Sequence, residues 1–283
     1  MTSQTPEPLR GLPVVLPFEA PASWISRAAQ SQGVGAAIFL RFLRMSLDLD
    51  VDFHFLSRRF QGFATACGLD SKAFAEARKV MSTLRKVDAK GQGFLFRSGR
   101  SARYRFCPRC MAGQRTPHFT LQSRLEAWRC CPGHGCMMED GCWRCGAAIE
   151  LPFSPGIDGS RQSHCHSLAQ CQCCGANHRN APVASLEEAS ARFSDFELLV
   201  LSNGSSVPAA LFQGRVVVAG DRAYSILHLQ QLWKRGMLAR PGYGPTATRL
   251  RARSDAAATA KNALPRLARV EGTASPAPAD DCC

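Results

Sequence analysis

Residues 106–146 read FCPRCMAGQRTPHFTLQSRLEAWRCCPGHGCMMEDGCWRCG and hold seven of the chain's fourteen cysteines and two of its seven histidines. Cys107-Pro-Arg-Cys110 is a knuckle whose two-residue gap lets a tight turn aim both sulfurs at one ion about 2.3 Å away. Cys131-Pro-Gly-His134 repeats the geometry with an imidazole as the fourth donor, after a spacer of twenty residues, room for two short strands or a strand and a turn. Cys142-Trp-Arg-Cys145-Gly opens a second set, and Cys171-Gln-Cys-Cys174-Gly closes it. Glycine after the last cysteine of each of these later knuckles lets the chain fold back with its amides pointing at thiolate. Four two-ligand turns in order pair as two tetrahedral sites, the first with three thiolates and one imidazole, the second with four thiolates.

The donor set decides among the chemistries. A disulfide framework belongs to an exported chain, and MTSQTPEPLRGLPVVLPFEAPASW has no basic segment followed by an apolar one. A thioredoxin-like redox pair needs a βαβ setting that the Pro- and Arg-rich surroundings do not offer. Four thiolates also suit an iron–sulfur cluster, but the imidazole of the first set favours zinc. Four ligands per ion leave no open coordination position, so both ions read as structural zinc and no catalytic residue is assigned. Surplus donors remain: Cys130, Cys136, His164, Cys165, His166 and Cys173. They leave the ligand open within the 130/131 and 173/174 doublets. Cys67, by contrast, reads as a small core residue on a helix face.

Outward from this region, residues 1–100 read as helical. Ser23 is placed to cap a helix from Trp24, with Trp24, Ile25, Ala28 and Ala29 on one face, and Ile38, Phe39, Phe42 and Leu43 continue the apolar pattern. Leu56, Phe60, Phe63, Ala64 and Cys67 follow at helical spacing. Gly68 then stops that helix, Asp70 or Ser71 caps the next, and Phe74, Met81 and Leu84 face inward. Residues 56–84 thus have a helix-turn-helix pattern, with any two-helix hairpin as the plainer reading. Beyond the cysteine region, residues 181–241 read as mainly helical, with a capping box of Ser185 and Glu188, a strand or hairpin arm in FQGRVVVAGD, and a helix turning Ile226, Leu229, Leu232 and Trp233 inward. Residues 242–283 have the composition of a disordered basic tail. The expected fold class is therefore α+β: a helical N-terminal domain (1–100), two small zinc-ribbon-like modules (101–180), a helical C-terminal segment (181–241) and the tail.

The net charge is +13 and uneven. Residues 97–109 carry five arginines and no acid, and residues 222–269 carry ten Lys or Arg against Asp255 alone. Basic stretches favour a polyanion, nucleic acid above all. Arg97, Arg100, Arg103, Arg105 and Arg109 beside the first site, with Lys72 and Lys79 on the second helix of the pair, are the candidate phosphate contacts. Asp48, Asp50 and Asp52 in LDLDVDF are the only dense acidic run, read as a solvated loop rather than as two-metal carboxylates. No G-x-x-x-x-G-K-[ST] occurs, and no apolar run approaches the ~18 residues of a membrane span. The chain reads as cytoplasmic, with no membrane partner.

Two stretches resemble a known family. LPVVLPFEAPASWISRAA resembles the opening of the TniQ family, and RFCPRCMAGQRTPHFTLQSRLEAWRCCPGHGCMMEDGCWRCGAAIEL resembles its central block: C-P-x-C, an Arg- and aromatic-bearing segment, C-P-x-H-G, then C-x-x-C-G-A. CQCCGANHRNA fits the second C-x-x-C-G, so the resemblance covers roughly residues 11–180. It implies a transposition accessory protein, related to target selectors of the TnsD type, that is not an enzyme. Such a protein links target DNA or a target-bound complex to an AAA+ ATPase regulator of the TniB or TnsC kind, which recruits the transposase. It also implies a winged or simple helix-turn-helix joined to zinc ribbons, with Cys107, Cys110, Cys131 and His134, then Cys142, Cys145, Cys171 and Cys174, as ligands. The rival reading is a zinc-containing helix-turn-helix transcriptional regulator, separated from the first by a partner ATPase.

Overall fold

A computed structural model describes residues 8–45, 50–54, 60–70, 72–99, 101–153, 167–218 and 222–239. Arg100, Ser71, Asp48, the side chains of Leu56 and Phe60, the His164-Cys165-His166 insert and the 242–283 tail lie outside the described residues.

Helix α1 (Pro21–Ser31) carries the hub of the core. Trp24 is fully buried and its ring meets Phe39, Phe63 and Phe74 at centroid distances of 6.4, 5.6 and 5.7 Å, while its Nε1 donates to the Pro13 carbonyl at 2.8 Å. Those partners come from α2 (Ala36–Phe42), α4 (Phe60–Ala66) and the residue before α5 (Ala75–Val87); α3 (Val51–His54) closes the group. The helix starts at Pro21, not Trp24, because proline suits the first helical position. Ser23 does not cap it. Its hydroxyl donates to Glu19 Oε1 at 3.1 Å and accepts from the Phe119 amide at 3.0 Å, and the α1 N-terminus is capped instead by Asp52, which accepts from the Ala22 amide at 2.9 Å. On α2 the buried set is Ala36, Phe39, Leu40 and Leu43, at i, i+3, i+4 and i+7, which turns Ile38 and Phe42 out to solvent.

Between α4 and α5, Gly68 adopts φ +58°, the Leu69 amide reaches the Ala64 carbonyl at 2.8 Å and the Gly68 amide reaches Thr65 at 3.1 Å. This is a Schellman stop, the one place on this hairpin that requires glycine. The second helix starts at Ala75, later than Asp70 suggests, because Asp70 caps a turn through the Lys72 amide (2.7 Å) and Phe74 enters the left-handed region before the helix begins.

The cysteine region follows a short hairpin of β1 (Arg97–Ser98) and β2 (Ser101–Ala102). The spacer between the first two knuckles is not strand: α6 (Pro108–Gly113) and a 3-10 turn at Leu121–Arg124 occupy it. β3 (Cys130–Cys131) and β4 (Cys136–Met137) then form a hairpin around the second knuckle. The segment after residue 185 is two helices, α7 (Leu186–Ser190) and α8 (Asp195–Gly204). Ser185 and Glu188 form the expected capping box, and Ser194 with Glu197 forms a second that restarts the helix. α9 (Val207–Gln213), a hairpin of β5 (Arg215–Val217) with β6 (Ala223–Ser225), and α10 (Leu229–Lys234) complete the order, with Ile226, Leu229, Leu232 and Trp233 buried. α9 packs along α5, and one cluster of buried apolar side chains runs from Ala20 to Leu238. Mixed helix with short strands is thus the architecture.

Beneath the cysteine region lies a charged core. Arg124 is fully buried and bonds both carboxylates of the acidic run, Asp50 through Nη2 and Asp52 through Nε at 3.1 Å, as well as the carbonyls of Arg103 (2.8 Å) and Phe96. Tyr104 donates to Asp52. The LDLDVDF acids are therefore not a solvated loop at Asp50 and Asp52; Arg124 provides the counter-charge that makes their burial tolerable.

Candidate metal centres

The first knuckle is shaped by its own helix. Cys107 is the N-cap of α6, Pro108 follows at the first helical position, and the Cys107 sulfur accepts from the Cys110 amide at 3.4 Å. The hairpin turn supplies the other half: Gly135, at φ +58°, returns its amide to the Cys131 carbonyl at 2.9 Å. The result brings Cys107, Cys110, Cys131 and His134 together with their donor atoms all within 4.8 Å of one another. His134 Nδ1 lies 3.5, 3.2 and 3.5 Å from the sulfurs of Cys107, Cys110 and Cys131, and the Cys110 and Cys131 sulfurs are 3.6 Å apart.

The second cluster is built twice from one design. The Cys142 and Cys171 sulfurs each accept an amide two residues on, from Arg144 and Cys173, at 3.4 Å. Gly146 and Gly175 each return an amide to the first cysteine's carbonyl, at 2.8 and 3.0 Å, and each first cysteine donates its own amide to Ala147 or Ala176 at 2.8 and 2.9 Å. Cys142 to Cys174 is 3.6 Å and Cys145 to Cys171 is 3.7 Å, and these four donors too lie within 4.8 Å of one another.

These distances test the fit of an ion. Four donors about 2.3 Å from a tetrahedral zinc stand about 3.8 Å apart along the edges, slightly less to a nitrogen. The observed separations of 3.2–3.7 Å are of that size. They are also hard to sustain without a cation. Hydrogen bonds from Cys110, Cys131 and Cys136 hold Cys107 well below the usual thiol range, while the hydrogen bonds to Cys107, with burial, push Cys110 and Cys136 up, so a cation is what would let these sulfurs ionise together. Both groups could hold a metal ion.

The doublets sort by direction. Cys131 enters the first cluster, whereas Cys130 points away to the Met137 sulfur at 3.5 Å, and burial raises its thiol to about 12. Cys171 and Cys174 enter the second, and Cys173 contributes its backbone amide. The two clusters are tied together. His178 stacks on Phe106 at 4.7 Å, Arg179 donates to the Gln114 carbonyl at 2.7 Å, and Trp143 bridges the later knuckles through the Asn177 carbonyl at 3.1 Å. His178 is thus a buried packing residue, and burial lowers it to about 4.

The basic residues are less uniform than their sequence. Arg105 is buried; its guanidinium lies over the Phe96 ring at 3.7 Å, pairs with Asp140 and Glu126, and donates to the Leu125 and Glu126 carbonyls. Arg97 faces Asp50 at 3.7 Å and Arg103 faces Glu150 at 3.9 Å, both only partly exposed. Arg109, on the first knuckle, is exposed, as are Lys72 and Lys79, though Lys79 also sits 4.2 Å over the Phe212 ring of α9.

Helices clasped by two four-donor knuckle clusters define the class: a small protein whose cysteine region is arranged for metal, not for thiol chemistry. Residues 12–138 match the TniQ family model, a stretch that runs from the lead into α1 to just past the first cluster. Over that region the chain is similar to the TniQ family, which supports a transposition-associated protein. No curated protein matches the chain. Among the described residues, no helix is long and apolar enough to cross a membrane.

Proposed function

We propose that this protein is a TniQ-like accessory factor that helps select or license a transposition target. It links DNA, or a target-bound complex, to an AAA+ ATPase regulator of the TniB or TnsC kind and through it to a transposase complex. The observation that carries this reading is the TniQ match enclosing the first four-donor cluster. Two structural zinc ions fit the donor sets, Cys107, Cys110, Cys131 and His134 holding one and Cys142, Cys145, Cys171 and Cys174 the other. Zinc there supplies cross-links between loops, and the residues around it present surface. We read the role as accessory, not catalytic, because closed four-donor shells leave no position for substrate.

For direct DNA contact, Arg109 and Lys72 are the best placed of the candidates, with Arg97 and Arg103 at the margin of the same region and Lys79 partly committed to Phe212. The α4–α5 pair has the Gly68 turn of a helix-turn-helix, but α9 lies along its second helix, which argues against α5 as a groove-reading element. The transcriptional-regulator reading loses support for that reason.

The test is recruitment of a transposon ATPase regulator to DNA, with and without this protein, in the presence of ATP. ATP-dependent co-recruitment is the expected result. Sequence-specific DNA binding indifferent to the ATPase would instead identify a transcriptional regulator. Zinc content checks the sites: two ions per chain are expected, falling to one when Cys107 and Cys110 are both replaced by alanine.

A further inference from the structure

The first cluster has one more sulfur than it needs. Cys136 Sγ lies 3.4 Å from Cys107 Sγ, just outside the group of four donors that all lie within 4.8 Å of one another, and the side chain is almost fully buried. Its position is set by strand register. Cys136 stands directly opposite Cys131 in the β3–β4 hairpin, so the two project from the same face, while the other pair, Cys130 and Met137, meets on the reverse. Hairpin geometry and sulfur spacing thus agree independently that Cys136 belongs to the ligand face. His134, by contrast, is exposed at the tip of the turn between them.

We infer that Cys136 is an alternate fourth ligand of this site, able to replace His134 on a bound zinc. The inference rests on the reading of the cluster as a zinc site. In the exchange the Zn–N bond to His134 breaks, the imidazole leaving with its electron pair, and a Zn–S bond forms to Cys136. The Cys136 proton passes to the departing imidazole or to water. No electron changes hands, and with the proton on His134 the total charge of the site is the same before and after. Three ligands, Cys107, Cys110 and Cys131, stay fixed throughout. The exchange therefore leaves the knuckle and hairpin joined while the imidazole of the exposed His134 is released.

The experiment is zinc content of the purified full-length protein and three variants, with circular dichroism to follow the helices. The wild type and Cys136→Ala are expected to hold two zinc ions, His134→Ala also two, and the double variant one. His134→Ala falling to one ion while the wild type holds two would overturn the role of Cys136 and leave the zinc site standing. Two ions in the double variant would overturn it as well, since three thiolates and water would then suffice. A wild type without zinc at this site would overturn the reading of the cluster itself. If His134→Ala does not fold, release of zinc to a competing chelator decides the matter in Cys136→Ser. Loss several-fold faster than in wild type is expected, because recapture by the fifth donor is gone; equal rates would refute the proposal.

Discussion

Arg124 is the single residue on which most of the interior depends. It holds two buried carboxylates and two backbone carbonyls at once, and Asp52 in turn caps α1. Burial pushes the Asp52 carboxyl up and Tyr104 well up, while Asp50, Asp52 and the Tyr104 oxygen outweigh the burial of Arg124 and raise it, so the guanidinium stays charged. Removing one partner of such a group strands the others. Arg124→Met is expected to cost about 3–5 kcal/mol, read as a lower midpoint in urea unfolding. His178 gives a second residue-scale prediction. Its folded pKa is about 4, below the ordinary 6.5, so the unfolded chain binds the extra proton and stability is lost as pH falls from about 6.5 toward 4. Between pH 7 and 5 that loss is about 2 kcal/mol. In His178→Phe, which keeps a ring against Phe106, this part of the pH dependence should vanish; the metal ligands are unchanged, so the comparison isolates the histidine. Neither role was legible in sequence. LDLDVDF looks like a solvated acidic run because its counter-charge lies 72 residues on from Asp52, and His178 looks like a loop residue because its ring partner, Phe106, is brought by another knuckle.

At the scale of elements, what rests on short-range chemistry is legible in the sequence, and what depends on two surfaces meeting is not. The Gly68 stop, the Ser185 box and the inward face of α10 follow from short-range chemistry and are where spacing puts them. The four knuckles are legible for the same reason, since each is closed by its own amides and glycine. The break between α7 and α8 was hidden because F-S-D-F-E continues a helical apolar pattern while Ser194 and Glu197 restart the capping. Gly204 at the end of α8 was likewise silent. A Cβ there would sit 1.9 Å from the Ala127 carbonyl oxygen, a backbone atom that cannot swing aside. Gly204→Ala should therefore lift α8 from the segment leading into β3, in spite of alanine's better helix propensity. The expected loss is about 1–3 kcal/mol in thermal or urea unfolding, where an exposed helical glycine would give a gain.

For the whole molecule, charge separates into an interior part and a surface part that sequence alone presents as one. Five arginines between residues 97 and 109 look equivalent as a basic run, yet Arg105 is enclosed by Asp140, Glu126 and two carbonyls, whereas Arg109 stands in solvent on the first knuckle. The proposed DNA contact turns this difference into a measurement. Each phosphate neutralised adds about −0.9 to the slope of log K against log salt on duplex DNA. Arg109→Ala should weaken binding at low salt and make the slope shallower by about 0.9, with unfolding unchanged, because an exposed side chain is removed. Arg105→Ala should do the reverse. It strips Asp140 of its partner and Glu126 of one of its two, the other being Arg129, and lowers stability, but in the folded protein, at a temperature where both variants are native, the salt slope should match wild type. A titration of fluorescent duplex at several salt concentrations, paired with urea unfolding, reads both quantities. Equal slopes for wild type and Arg109→Ala would remove the first knuckle from the DNA interface and leave the partner ATPase as the surface it serves.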